Sequence, residues 1–286
     1  MIPAFIYGVY SGLAHWRAAL IAYIFQLLLA MALGVQVYHV LDASIGNSLE
    51  INKLLGNYDH TVISDLLNVH GASISPLLGQ LRWLALTYIL FSVFIHAGML
   101  YAVVKNERTW LAFWKGGATY FFSFFKIAIL FIAMFGIVSA AIWLPFLPFF
   151  FTSPEYFSSE KISVWLLLLV LAFYLIVLFF LYSWSVVVRL HVMQDNSRIW
   201  PALRSAFMWM VRRYFSVTGL VLLLFLLHVL LFFIYWLLND TGTVSLLSVL
   251  AFILLQQVAA YLRVMARVMG YGGVWKLWAK EDTLKP

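Results

Sequence analysis

The chain has 286 residues, of which 65% are hydrophobic and only 10% charged, and it carries a formal net charge of +7. Soluble domains run nearer about half apolar and about a quarter charged, so this composition excludes an ordinary soluble fold. The absence of cysteine excludes disulfides and cysteine-ligated metals.

A membrane-spanning helix needs roughly 20 mostly apolar residues. Lipid offers no hydrogen-bond partner to an open strand, so each span must be helical. Six segments qualify in chain order, at about Arg17–Leu41, Leu81–Val104, Phe122–Trp143, Ile162–Val188, Phe215–Leu238 and Leu246–Val264. The predicted fold class is an all-α integral membrane protein, a single membrane domain over residues 1–286 with six transmembrane helices. Met1–Trp16 has no basic n-region and no apolar core, which argues against a cleavable signal peptide.

The first and second spans are joined by an outer helical loop at about 42–80. Within it Thr61–Val69 is amphipathic, with Asp59 as its N-cap and Gly71 past its end, which predicts a small helical cap. Pro145, Pro148 and Pro154 predict an extended, Phe-lined outer loop after the third span. A short turn, Asn239–Thr243, joins the fifth and sixth. After the last span, Gly270-Tyr271-Gly272-Gly273 predicts a helix stop before an interfacial piece at Val274–Lys280.

Orientation follows from Lys and Arg. Of the 18 basic residues, 15 fall in segments facing one side, the exceptions being Lys53, Arg82 and Lys161. The positive-inside rule predicts both termini in the cytoplasm. Trp83, Trp143, Trp165 and Trp236 mark the outer boundary, and the other tryptophans fall near the inner one, as interfacial belts do. The net positive charge is then a property of the cytoplasmic surface and suits anionic lipid headgroups. Nucleic acid is not an expected partner, because no soluble basic domain carries the charge.

Three segments entering the odd-numbered spans are alike: Ile2-Pro3-Ala4-Phe5, Trp110-Leu111-Ala112-Phe113 and Trp200-Pro201-Ala202-Leu203. Extended without gaps, the match aligns Trp16 with Phe124 and Tyr214, then Ile24 with Ile132 and Leu222. The predicted unit is an interfacial amphipathic helix, a span, an outer loop and a returning span. Three such parallel helical-hairpin repeats cover about 1–104, 105–190 and 191–286. In the third, Leu203, Phe207, Met210 and Tyr214 are predicted to share the apolar face. Trp110, Phe113, Trp114 and Phe121 do so in the second, where Gly116-Gly117 predicts a bend or a close helix contact.

The apolar cores of the predicted spans contain no Asp, Glu, Lys or Arg, which argues against ion-coupled transport. The polar residues there include His96, His228, Gln256 and Gln257, a candidate intramembrane polar site; the alternative for each is a single interhelical hydrogen bond. Arg204, Arg212, Arg213, Arg263 and Arg267 form the candidate anionic-lipid or partner contact, with simple snorkelling as the alternative. His39, His60 and His70, with Asp59 and Asp65, fit no zinc spacing. No G-x-S-x-G, P-loop, H-E-x-x-H or G-x-G-x-x-G motif occurs. No catalytic, metal or cofactor residue is therefore assigned.

The run Asn196-Ser197-Arg198-Ile199-Trp200-Pro201-Ala202-Leu203-Arg204-Ser205-Ala206-Phe207, leading into Arg212-Arg213-Tyr214-Phe215, resembles a bacterial pattern. It is similar to the six-helix membrane domain fused to some bacterial glycerophosphodiester phosphodiesterases, and to related bacterial inner-membrane proteins. The resemblance implies a multi-pass protein of the bacterial inner (plasma) membrane, without the phosphodiesterase barrel and its catalytic residues. The leading expectation is a non-enzymatic protein that organises lipid or a protein partner in a membrane complex. The alternative is a transporter or channel for a small solute or lipid, with a path between the repeats. Least favoured is an outer-face lipid enzyme using the first loop.

Overall fold

The computed structural model describes residues 2–45, 68, 71–147, 160–195, 198–239 and 246–282. These residues are almost entirely helical and contain no strand. The helices are α1 (Ile2–Ala14), α2 (Trp16–Ile45), α3 (Gly71–Lys105), α4 (Trp110–Trp143), α5 (Glu160–Asp195), α6 (Ile199–Arg212), α7 (Tyr214–Asn239) and α8 (Leu246–Asp282). Six of them, all but α1 and α6, are long and apolar enough to cross a membrane. The described residues thus carry the helices of a multi-pass membrane protein.

Several helices outrun the predicted spans. The 36 residues of α5 rise about 54 Å at ~1.5 Å per residue, well beyond a hydrocarbon core of about 30 Å. Their ends therefore project past the lipid. The extra length matters most in α8, whose apolar stretch runs Leu250–Ala279 and encloses both Arg263 and Arg267. The predicted span ended at Val264 with Arg263 in its last turn, so Arg267 lies beyond that end yet within the continuous apolar stretch.

The glycine run explains the difference. Gly270-Tyr271-Gly272-Gly273 does not stop α8 but lies in its interior. A glycine in a helix costs about 1 kcal/mol relative to alanine, and close packing offsets that cost here. A Cβ on Gly8 would lie 2.5 Å from the Met269 carbonyl oxygen, and one on Gly272 would lie 2.5 Å from Ser11 Cβ. The buried face of α1 is Ala4, Gly8, Ser11 and Gly12. Small residues on both helices let the two backbones touch, as they do in membrane helix pairs.

The chain divides into two compact units, Met1–Ala19 with Val93–Pro286, and Leu20–Ser92. The second holds most of α2 and the first part of α3, with the Phe25 and Phe91 rings stacked at 4.5 Å between centroids. The first holds the rest, and its core lies at one end of the helices. Buried residues cluster at the C-terminal ends of α3, α5 and α8, at the N-terminal ends of α4 and α7, and on one face each of α1 and α6. This is also the basic end, since Arg108, Arg189, Arg204, Arg212 and Lys276 belong to the same segments.

The turn from α3 to α4 shows how local chemistry sets this end. Asn106 adopts φ 53°, the left-handed conformation that asparagine tolerates. Its N–H donates to Val103 O and that of Glu107 to Ala102 O, closing a Schellman cap. Thr109 then caps α4 by accepting from the Ala112 N–H. As predicted, Gly116 and Gly117 make close contacts: a Cβ on Gly116 would lie 2.2 Å from Tyr101 Cβ.

Other expectations change. Trp110 starts a helix that runs unbroken to Trp143, so the second copy has no separate interfacial helix, whereas α1 and α6 do break, at His15 and Arg213. Pro145 sits in a 3-10 turn, Leu144–Phe146, that prolongs α4 rather than in an extended loop. Gly71 is the first residue of α3. The predicted cap Thr61–Val69 (apart from Asn68), Asp59, His60, Asp65 and His70, with Pro148, Pro154 and the tail after Asp282, fall outside the described residues.

The apolar faces also rotate. Leu203 and Met210 are buried with Ala202, Ala206 and Trp209, and α6 packs this face mainly on α5. Phe207, predicted to join them, is exposed. In α4, Phe113 turns inward with Ala112, Gly116 and Gly117, while Trp110 and Trp114 stay outside. Small residues let neighbouring helices come close, and they share each inner face with one aromatic, Trp209 in α6 and Phe113 at the start of α4.

Candidate functional site

A cavity of about 320 Å³ lies among α5, α7 and α8. Helix α7 packs along α8, whereas α5 touches each of them at only a few places, which leaves the space. Helix α5 lines it with Phe179, Ser183 and Val186, and α7 with Val217, Leu224 and His228. Helix α8 contributes Arg267, Tyr271 and Val274. The walls are mostly apolar, with a few polar groups converging from three helices, the usual make-up of a small-molecule site.

Register sets the depth of those groups. A Cβ on Gly273 would meet Leu220, and one on Gly270 would meet Leu224. One turn further along each helix are Arg267 and His228, which therefore lie at about the same height. His228 is near the middle of α7, so Arg267 is far from the helix ends.

Tyr271 is the centre of a buried polar chain. Its hydroxyl bonds His96 Nδ1, and the Arg189 guanidinium stands beside the same hydroxyl. The tautomer of His96 sets which of the two groups donates. The Tyr271 ring meets the His96 ring edge-on, 6.1 Å between centroids. Arg189 Nε is buried without a hydrogen bond. The chain Arg189–Tyr271–His96 thus links α5, α8 and α3 behind one cavity wall.

Two cations therefore lie near one another without a counter-charge. Between residues 161 and 194 of α5, throughout α3 and α7, and from 246 to 280 of α8, the sequence has no Asp or Glu. Removing an ion from water costs several kcal/mol unless it is paired. The Ser183 hydroxyl, on a residue 3% exposed, also lacks a partner.

Three histidines share one local habit. His15, His191 and His228 each donate from Nδ1 to the carbonyl one turn back, Ser11, Val187 and Leu224 respectively. For His228 this leaves Nε2 as the ring's remaining hydrogen-bonding atom, on a residue that lines the cavity. His15 lies before the first span. Burial lowers its pKa, opposed by the Ser11 carbonyl, with the Arg108 charge lowering it further and the Ala102 carbonyl opposing more weakly. That last effect is electrostatic, since His15 Nε2 completes no hydrogen bond.

The structure divides the sequence-derived candidates. His228 and Arg267 line one cavity, and His96 reaches it through Tyr271. Arg263, one turn from Arg267, is exposed instead, as are Arg204 and Arg212, and Arg213 is half-buried at the end of α6. Of these arginines, Arg267 lines the cavity and Arg263, Arg204, Arg212 and Arg213 do not. Gln256 is exposed and Gln257 half-buried, and neither lines the cavity. Among the described residues no cluster of histidine and carboxylate could hold a metal. Sequence reasoning missed Tyr271, hidden in an apparent helix stop, and Ser183 and Arg189, at a presumed span end.

No protein-family model, characterised protein or solved structure matches the chain.

Proposed function

We propose that the protein is a non-enzymatic bacterial inner-membrane protein that organises anionic lipid, or a partner held at the same surface, through its basic cytoplasmic end. One observation carries this reading, the outward face of α6. Trp200, Arg204, Phe207, Met208 and Val211 follow one another at helical spacing and are all exposed, Trp200 at 75%. A stripe of aromatic and aliphatic side chains with arginine suits the headgroup boundary. Helix α1 presents a second uncovered stripe, Ile2, Ile6, Tyr10 and Leu13.

The triplicated unit belongs to this proposal. Its support is positional: Ala4, Ala112 and Ala202 are aligned and all buried, as are Gly8, Gly116 and Ala206. The breaks at His15 and Arg213 also align. Similar small buried faces at each entry are what a duplicated packing unit would keep. Both termini are assigned to the cytoplasm by the positive-inside rule. The cysteine-free chain allows a direct check: single cysteines placed at either end should be labelled only from the cytoplasmic side.

The test of function is retention of anionic lipid by the gently purified protein, before and after Arg204→Ala with Arg212→Ala. Each arginine near a charged surface contributes about 1 kcal/mol, so retention should fall clearly. Unchanged lipid retention together with unchanged recovery of any partner would remove the proposal. Passage of a solute or lipid between helices is the second reading, favoured by a cavity that reaches His228 and Arg267. Uptake into vesicles containing the protein, lost in His228→Ala, is its test.

A further inference from the structure

We propose that the α5–α7–α8 cavity is a binding site for a single-chain anionic amphiphile whose acidic group pairs with Arg267. The inference concerns what occupies this cavity and stands whether or not the α6 surface holds lipid.

Charge is the first argument. Arg267 lines the cavity near mid-height of α7, and Arg189 stands behind Tyr271, with no Asp or Glu in the walls. Ionisable groups at membrane depth persist where something pairs with them. Tyr271 cannot serve as a counter-charge, because a phenol hydrogen-bonded to a histidine carries no negative charge. An anion entering the cavity would meet Arg267.

Unfilled hydrogen bonding is the second. Ser183 Oγ is buried, partnerless and on a cavity-lining residue. A buried hydroxyl left unsatisfied costs about 1–3 kcal/mol. It is a further hydrogen-bond donor for an acidic head, and being uncharged it would not bind any anion indiscriminately.

Shape is the third. Val186, Val217, Val221 and Val274 supply apolar wall for a hydrocarbon part. About 320 Å³ sits at the small end of the ~300–1,000 Å³ usual for ligand pockets, which favours one chain over two. Tyr182 and Phe225, from α5 and α7, line the cavity yet are 45% and 55% exposed. The opening is therefore sideways, between two helices read as spans, where an amphiphile dissolved in the bilayer can enter without crossing water.

The acidic group can be a carboxylate or a phosphate, so two probes separate the sources. Full-length protein in phosphatidylcholine nanodiscs is titrated with radiolabelled palmitate and, separately, with palmitoyl lysophosphatidylglycerol; monopalmitoylglycerol is the uncharged probe. Saturable binding of one anion per chain is expected, for either probe or both, and at least tenfold tighter than the uncharged probe. Arg267→Gln should weaken the anion at least tenfold and leave the uncharged probe unchanged. Ser183→Ala should weaken it less, and Val221→Trp should abolish binding by filling the space. Arg204→Ala with Arg212→Ala should leave this binding intact, which separates its failure from that of the α6 contact. No saturable binding of either anion, equal affinity for the uncharged probe, or full anion affinity in Arg267→Gln would each overturn the proposal. Arg267→Gln and Ser183→Ala keep the test decisive if Val221→Trp fails to fold.

Discussion

The two ends of the larger unit are built on different rules. At the basic end, α1 and α8 touch through glycines, and Tyr271 of α8 hydrogen-bonds His96 of α3 beside Arg189 of α5. At the other end, α5 exposes Ile162, Trp165, Leu169 and Phe173, while α7 exposes Leu230, Phe232 and Trp236. Apolar side chains lose nothing by facing acyl chains, so helices there can diverge. Polar groups and charges cannot, and the helices close wherever such groups must be satisfied. Packing in this protein therefore follows its polar groups more than its oil.

Overpacking the tight end should have the largest effect. Gly8→Leu places a side chain against the Met269 carbonyl and should cost about 2–3 kcal/mol in thermal unfolding of the purified protein. Leu254→Ala on the exposed part of α8 is the matched control, expected within about 0.5 kcal/mol. Equal losses in the two variants would break the contrast. Removing one hydroxyl comes next: Tyr271→Phe leaves His96 and Arg189 without their shared partner and should cost about 1–2 kcal/mol. Its melting temperature, read beside that of Ser92→Ala, reports whether the buried chain is a tie or mere filler.

A smaller effect sharpens the account of the α3–α4 turn. Asn106→Gly should be neutral or slightly stabilising, whereas Asn106→Val forces a branched side chain to positive φ and should cost about 1–2 kcal/mol. Chemical denaturation of both variants distinguishes them. The smallest effect is a pH slope. The pKa of His15 is lowered below 6.5 in the fold. At pH 7.5 the ring is neutral in both states. Below about pH 6.5 the unfolded chain takes up a proton that the folded ring resists, so stability falls with pH. His15→Gln should flatten the slope between pH 6.5 and 5; an unchanged slope would show that the ring is not the source.

Much of this was legible in the sequence. Long apolar runs require helices, because a backbone in lipid has no other way to satisfy its polar groups. The close contacts of Gly116-Gly117 were legible too, as glycine pairs in an apolar helix have few other uses. The Gly270–Gly273 run was misread because a glycine looks alike whether it ends a helix or admits a neighbour. The neighbour is α1, more than 250 residues away in the chain, and no local pattern announces it.

The sequence by itself determined that the chain is helical, that six of its helices can span a bilayer, and which ends carry the cations. Those properties are set by composition and by spacing along one helix. Only the tertiary structure decided that Arg267 lines a cavity, that His96 answers to Tyr271, and that α6 buries Ala202, Ala206 and Trp209 while Trp200 and Phe207 stay outside. Each depends on which helix lies alongside, and that choice rests on backbone approach between segments remote in the chain.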